Sequence, residues 1–223
     1  MNTYNKKDFY LVGIIGFLVG WLVLLPVKNL GFTVTPLLIA GTVIGFSLLA
    51  PIALAVLKLL GKFWPVLEQF GKFAAVGTLN TLLDLGVLNL FILLTDISGG
   101  VTYSGFKAVS FLAATTNSYF WNKFWTFQSG TPVTGKEYGR FILFTLIGTA
   151  VNVSIASIVV NVVGAPGGVN PKLWANVGAL IGVLVSFMLN FLSYRFIVFK
   201  GLISAKGGSS SGGQNSETKA KEF

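Results

Sequence analysis

Residues 70–94 read FGKFAAVGTLNTLLDLGVLNLFILL, and this stretch decides the fold. Its 25 residues hold one basic group, Lys72 near the start, and one acid, Asp84 in the interior. As a helix rising about 1.5 Å per residue, such a run is long enough to cross the roughly 30 Å hydrocarbon layer of a bilayer. Lipid is therefore the solvent that this segment fits.

The same pattern recurs outward in both directions. Of 223 residues, 53% are hydrophobic and only 10% charged, and the mean hydropathy is +0.77. A soluble domain carries roughly 25% charged residues. Besides Phe70–Leu94, apolar spans are expected at about Tyr10–Val27, Val34–Leu60, Tyr103–Trp121, Tyr138–Val163 and Leu173–Tyr194. This predicts an all-α polytopic membrane protein with six transmembrane helices. The first run lacks a small-residue cleavage site and reads as a retained helix rather than a signal peptide. Residues 61–69, GKFWPVLEQ, read as an interfacial connector, and Pro51 is expected to kink the second span unless neighbours satisfy the freed carbonyl. GAPGGVNP at 164–171 breaks helix, and the Gly/Ser-rich residues 201–223 read as a disordered cytoplasmic tail.

Charge placement predicts orientation. Lys6, Lys7, Lys58, Lys62, Lys72, Lys123, Lys136, Arg140, Arg195 and the tail lysines fall on one side, with Lys28, Lys107 and Lys172 on or near the other. By the positive-inside rule both termini are expected in the cytoplasm, the chain lying in the cytoplasmic membrane. The net charge of +9 thus sets topology and gives no reason to expect nucleic acid. Without Cys or His, disulfides and thiolate or imidazole chemistry are excluded, and no metal, cofactor or catalytic set is expected.

A hairpin appears twice. FGKFAAVGTLN (70–80) and SYFWNKFWTF (118–127) bracket the first copy; YGRFILFTLIGTAVN (138–152) and NFLSYRFIVF (190–199) bracket the second. In each, a basic residue leads into a Gly-Thr element followed by Asn, and a basic-Phe-x-x-Phe run closes the second helix, with Lys123 against Arg195. Two spans per unit predict parallel repeats forming a four-helix core. The expected organisation is a two-span extension with its connector (1–69), the core (70–200) and the tail (201–223). The extension reads as an addition that packs on the core or mediates homo-oligomerisation. Gly41/Gly45 and Gly178/Gly182 are candidate close-approach pairs.

Phe73, Gly77, Asn80, Thr81 and Asp84, with NSYFWNKFWTF and NFLSYRFIVF, resemble the GtrA-like family of polyprenyl- or dolichol-phosphate sugar flippase-like proteins. The resemblance covers 70–199. It implies a non-enzymatic membrane protein that helps a polyprenyl-phosphate-linked monosaccharide cross the bilayer for cell-surface polysaccharide synthesis or modification. Partners implied are the lipid-linked sugar, membrane lipids and a membrane glycosyltransferase. The alternative is a non-transporting subunit that positions a glycosyltransferase or another flippase.

The polar residues within the spans make an independent case. Asn80 and Asp84 are one turn apart on one face, either supplying acceptors and donors to sugar hydroxyls or gluing helices together. Lys107 either pairs with Asp84 or snorkels outward. Lys123 and Arg195, with Asn117, Asn122 and Asn190 within a turn or two, either cradle phosphate or anchor helix ends. Asn152 and Asn176 read as interhelical hydrogen bonds.

Overall fold

The computed structural model describes residues 4–64, 66–169 and 171–199, all-helical with no strand among them. The helices are α1 (Lys6–Leu22), α2 (Leu24–Asn29), α3 (Pro36–Gly61), α4 (Val66–Thr95), α5 (Gly100–Trp121), α6 (Gly135–Ser157) and α7 (Pro171–Ser193). Three π-helical turns, Asn122–Thr126, Ile158–Val163 and Tyr194–Val198, extend α5, α6 and α7. Residues 201–223 and the side chain of Asn176 lie outside the described residues.

Among the described residues, five segments are long and apolar enough to cross a membrane: Lys6–Asn29, Pro36–Gly61, Val66–Thr95, Gly135–Val163 and Val177–Val198. Helix α5 is the sixth expected span. At 22 residues it is long enough, but Ser104, Lys107, Ser110 and the Thr115–Ser118 run make it too polar to qualify by composition. The fold is an all-α polytopic membrane protein, and of those polar groups Ser110 and Thr115 are buried while Ser104 is exposed. The connector expected over 61–69 is shorter than the sequence suggests. Val66–Gln69 already form the first turn of α4, where Glu68 faces the positive end of the helix dipole. Pro51 sits inside α3 without ending it.

Six threonine hydroxyls are satisfied without leaving their helices, whereas that of Thr126 is buried with no hydrogen-bond partner among the described residues. Thr42, Thr78, Thr81, Thr95, Thr116 and Thr145 each donate to the carbonyl four residues earlier. Such back-bonding is how Ser and Thr tolerate an apolar solvent.

The chain divides into two compact units, 1–127 and 128–223. In the first, α1, α3 and α4 close around Tyr4, Val12, Ile15, Val19, Leu54, Val76, Leu79 and Trp125. Helix α1 meets α3 backbone to backbone. A Cβ on Gly20 would lie 2.6 Å from Val43 Cα, and one on Gly16 would collide with the Phe46 carbonyl oxygen. The expected pair on α3, Gly41 and Gly45, faces open space instead. Its own helix presents the other face to α1. Helices α4 and α5 form an antiparallel hairpin, with Phe91 stacked on Phe106 at one end and Phe73 6.4 Å from Phe127 at the other.

In the second unit α6 and α7 form a hairpin of the same kind. Gly178 and Gly182 do permit close approach, since added Cβ atoms would meet Val160 Cγ2 at 2.6 Å and the Asn152 carbonyl oxygen at 2.5 Å. Phe141 lies 6.0 Å from Phe199 and stacks on Tyr194 at 4.3 Å, while the Tyr194 hydroxyl pairs with Thr145 Oγ1 at 2.6 Å. Replacing Tyr194 with Phe removes that bond but keeps the stack. It should cost about 1 kcal/mol, read as a lower melting temperature in detergent.

The internal packing repeats. Phe73–Phe127 and Phe141–Phe199 are corresponding ring pairs, and each hairpin ends in a π turn closed at the same place. Phe127 N donates to the Asn122 carbonyl at 2.8 Å, and Phe199 N to that of Tyr194 at 2.9 Å.

Candidate functional site

A polar seam runs between α4 and α5. Asp84 lies near the middle of α4, about 16 Å from the Thr95 end at 1.5 Å per residue. It forms an ion pair with Lys107, and Ser110 Oγ donates to its other oxygen at 2.6 Å. One turn away on α4, Asn80 Oδ1 accepts from Asn117 Nδ2 at 2.7 Å. Lys107, Ser110 and Asn117 stand at i, i+3 and i+10, so one face of α5 supplies all three. The pairing offsets the desolvation of two charges that would each be costly alone in lipid.

Satisfaction is incomplete in this seam. Asn80 Nδ2 is buried with no hydrogen-bond partner among the described residues, although its carbonyl is engaged. The Asp84 and Lys107 side chains keep 23% and 45% of their surface, so neither is sealed off. Together they present a carboxylate, an ammonium and spare amide donors, a set able to hydrogen-bond a polyhydroxylated ligand.

Further along α5, Asn122 is buried. Its Nδ2 donates to the Ser118 carbonyl at 2.9 Å, leaving Oδ1 without a partner among the described residues. Lys123, expected near an interface, is fully buried, with Nζ 6.0 Å from the Tyr119 ring centre. In the second unit Arg195 is half-buried, its guanidinium 5.4 Å from the Phe196 ring centre. The Asn190 side chain packs directly over Gly148, with Oδ1 buried and unpartnered among the described residues. Thus Asn80, Asp84, Lys107 and Asn117 are brought together in one seam, with Asn122 beyond it on the same hairpin. Arg195 and Asn190 belong to the other unit and are described by themselves.

The second hairpin carries a muted copy of the seam. From Phe73 to Asp84 is eleven residues, as it is from Phe141 to Asn152, and from Ser110 to Phe127 is seventeen, as it is from Gly182 to Phe199. Asn152 Oδ1 faces Gly182, where an added Cβ would lie 2.6 Å away. Asn152 is therefore the counterpart of Asp84, not of Asn80 as the Gly-Thr-Asn likeness suggests. A helix preserves residue count, and the second copy places its Asn one turn deeper.

A second polar centre, which the sequence reading missed, lies at the end of the first unit where α1 begins. Asp8 pairs with Lys72 at 2.6 Å, each side chain only 6% exposed, and accepts from Trp125 Nε1 at 2.8 Å. Lys72 Nζ also stands 5.7 Å from the Tyr4 ring centre and 5.5 Å from that of Trp125. Asn5 and Asp8 form a reciprocal capping box at the start of α1. The Tyr4 hydroxyl donates to the Glu68 carbonyl at 2.5 Å, and Lys58 Nζ donates to the Tyr4 carbonyl at 3.1 Å. Burial raises the pKa of the Tyr4 hydroxyl, reinforced by the charges of Glu68 and Asp8, so it stays a donor. An isolated acid in KKDF was the only sequence signal for this centre.

Comparison with known proteins accords with this architecture. The family described as GtrA/DPMS, transmembrane domain, matches residues 72–199, more than half of the chain. YngA, an uncharacterized membrane protein of Bacillus subtilis strain 168, is 33% identical over 142 residues, covering 62% of this chain and 86% of its own. No solved structure matches. The resemblance read from the motifs therefore holds: the chain belongs to the GtrA/DPMS transmembrane-domain family of membrane proteins.

Proposed function

We propose that this protein moves a polyprenyl-phosphate-linked monosaccharide from the inner to the outer leaflet of the cytoplasmic membrane, for cell-surface polysaccharide synthesis or modification. Both termini then face the cytoplasm, and no covalent chemistry is involved. The observation that carries the reading is the Asp84–Lys107–Ser110 cluster with Asn80–Asn117 beside it, a half-open polar seam between α4 and α5. Charges at such depth mark substrate paths more often than packing. The sugar hydroxyls would exchange bonds with Asn80, Asp84 and Asn117 while the prenyl chain stays in lipid. Lys107, and at a helix end the half-buried Arg195 with Asn190, would attract the phosphate. A membrane glycosyltransferase on the cytoplasmic side would supply the cargo.

A second reading, a non-transporting subunit that positions such an enzyme, draws on α3. Its Leu37, Ile44, Leu48, Ile52, Val56 and Leu59 remain exposed, an apolar face available to a partner helix or another copy.

Vesicles containing only the purified protein and a defined polyprenyl-phosphate hexose separate the two. Protein-dependent exposure of the sugar on the opposite leaflet is expected, and Asn80→Ala should slow it about tenfold, the worth of one hydrogen bond near 1.4 kcal/mol. Exposure no faster than in empty vesicles, for every hexose tested and with folded protein, would overturn transport in favour of the subunit.

A further inference from the structure

We infer that Lys72 and Trp125 form an anion site for a phosphate group, and that Asp8 occupies it as an intramolecular stand-in. A single Asp8 carboxylate oxygen, Oδ1, accepts from both Lys72 Nζ and Trp125 Nε1, at 2.6 and 2.8 Å, as one phosphate oxygen would. These are the charge-assisted contacts by which lysine and N–H donors hold phosphate.

Comparison of the two hairpins shows where the first departs from the second. Arg140 corresponds to Lys72, and Ile197 to Trp125, by the register of the paired phenylalanines. Arg140 is exposed and Ile197 is 46% exposed, whereas Lys72 and Trp125 are 5% and 6% exposed beneath the segment 4–8. The first hairpin therefore carries the more elaborate donor set, and that is the one under cover.

The cover is built to lift. Asp8 lies in the first turn of α1, whereas the backbone contacts that fasten α1 to α3 are at Gly16 and Gly20, two turns or more further along. Helix ends open locally without global unfolding. Fraying residues 4–8 would release the capping box, the Tyr4 hydrogen bonds, the Tyr4 ring from the core, and the bonds of Asp8 to Lys72 and Trp125, while the contacts at Gly16 and Gly20 stay in place. Lys6, Lys7, Lys58 and Lys62, at the same end of this unit, would draw an anion toward the opened site. The segment is thus an autoinhibitory contact that a phosphate competes with.

That the phosphate belongs to a lipid rests on the transport reading; that the site takes phosphate does not. The test uses the full-length protein in detergent with three probes, inorganic phosphate, farnesyl phosphate and farnesol, each followed by equilibrium dialysis. Apparent affinity falls with the fraction of protein that is open, so a segment closed nine-tenths of the time predicts about a tenfold gain on Asp8→Asn. Lys72→Met in the Asp8→Asn background should abolish the gain, and farnesol binding should not change. A gain with farnesyl phosphate alone assigns the site to a lipid headgroup; a gain with inorganic phosphate assigns it to the anion whatever its carrier. Folded Asp8→Asn with no gain for either phosphate overturns the proposal, without touching the vesicle result. If that variant does not fold, Asn5→Ala, which loosens only the cap, is expected to give a gain of about threefold. No gain from folded Asn5→Ala overturns the proposal equally.

Discussion

Replacing Asp84 with Ala should slow leaflet exposure of the lipid-linked sugar by about a hundredfold, equivalent to roughly 2.7 kcal/mol of lost interaction at the rate-limiting barrier. Two effects combine. The carboxylate is the acceptor to which Lys107 and Ser110 are both attached, so its removal leaves the seam without its most basic oxygen pair. It also leaves Lys107 as an uncompensated charge among apolar helices, which should destabilise the protein by about 2–3 kcal/mol. Adding Lys107→Met to Asp84→Ala should recover most of the stability, because replacing a whole ion pair by apolar groups is far milder than removing one partner. It should not recover transport. Melting in detergent and vesicle assays on the same preparations separate these contributions. Wild-type transport by folded Asp84→Ala would remove the seam from the mechanism.

A larger structural loss is expected from Gly16→Leu. The side chain would have to occupy the place of the α3 backbone at Phe46–Ser47, which cannot yield as a flexible side chain would. Separating α1 from α3 sacrifices packing along the whole contact, since tight van der Waals approach at small residues is what joins helices in lipid. A destabilisation of about 3 kcal/mol or more is expected, at the upper end for overpacking. Gly41→Leu is the matched control, as nothing lies within 4 Å of its added Cβ. Its melting temperature should stay near that of the parent. Equal losses at both positions would mean that α3 is also packed on its outer side, as it would be between two copies.

The contrast between those glycines shows where reading the sequence stops. The Gly16/Gly20, Gly41/Gly45 and Gly178/Gly182 pairs have the same spacing, and spacing alone cannot say which face meets a neighbour. Membrane class and span positions were legible because hydropathy over some twenty residues is a property of the segment itself. The Asp84–Lys107 pair was legible for a related reason: two opposite charges buried in adjacent spans have few other ways to avoid isolation. Ser110 was within reach too, one helical turn beyond Lys107 on the same face. Asp8–Lys72 was not, because 64 residues separate the partners and Lys72 alone reads as an interfacial anchor. The register of Asn152 was hidden by a local Gly-Thr-Asn likeness that outweighed the count from the flanking phenylalanines. The burial of Lys123 was not legible, since only packing reveals that its charge is covered.

The closed Asp84–Lys107 pair has an electrical consequence. A neutral doublet experiences no net force along a transmembrane voltage, whereas a single charge crossing 100 mV gains or loses about 2.3 kcal/mol. While the two side chains stay together, the energised state of the membrane has little purchase on this hairpin. An arriving headgroup that parts them leaves two separate opposite charges for the voltage to act on, whereas the corresponding positions in the other hairpin, Asn152 and Ala179, carry none.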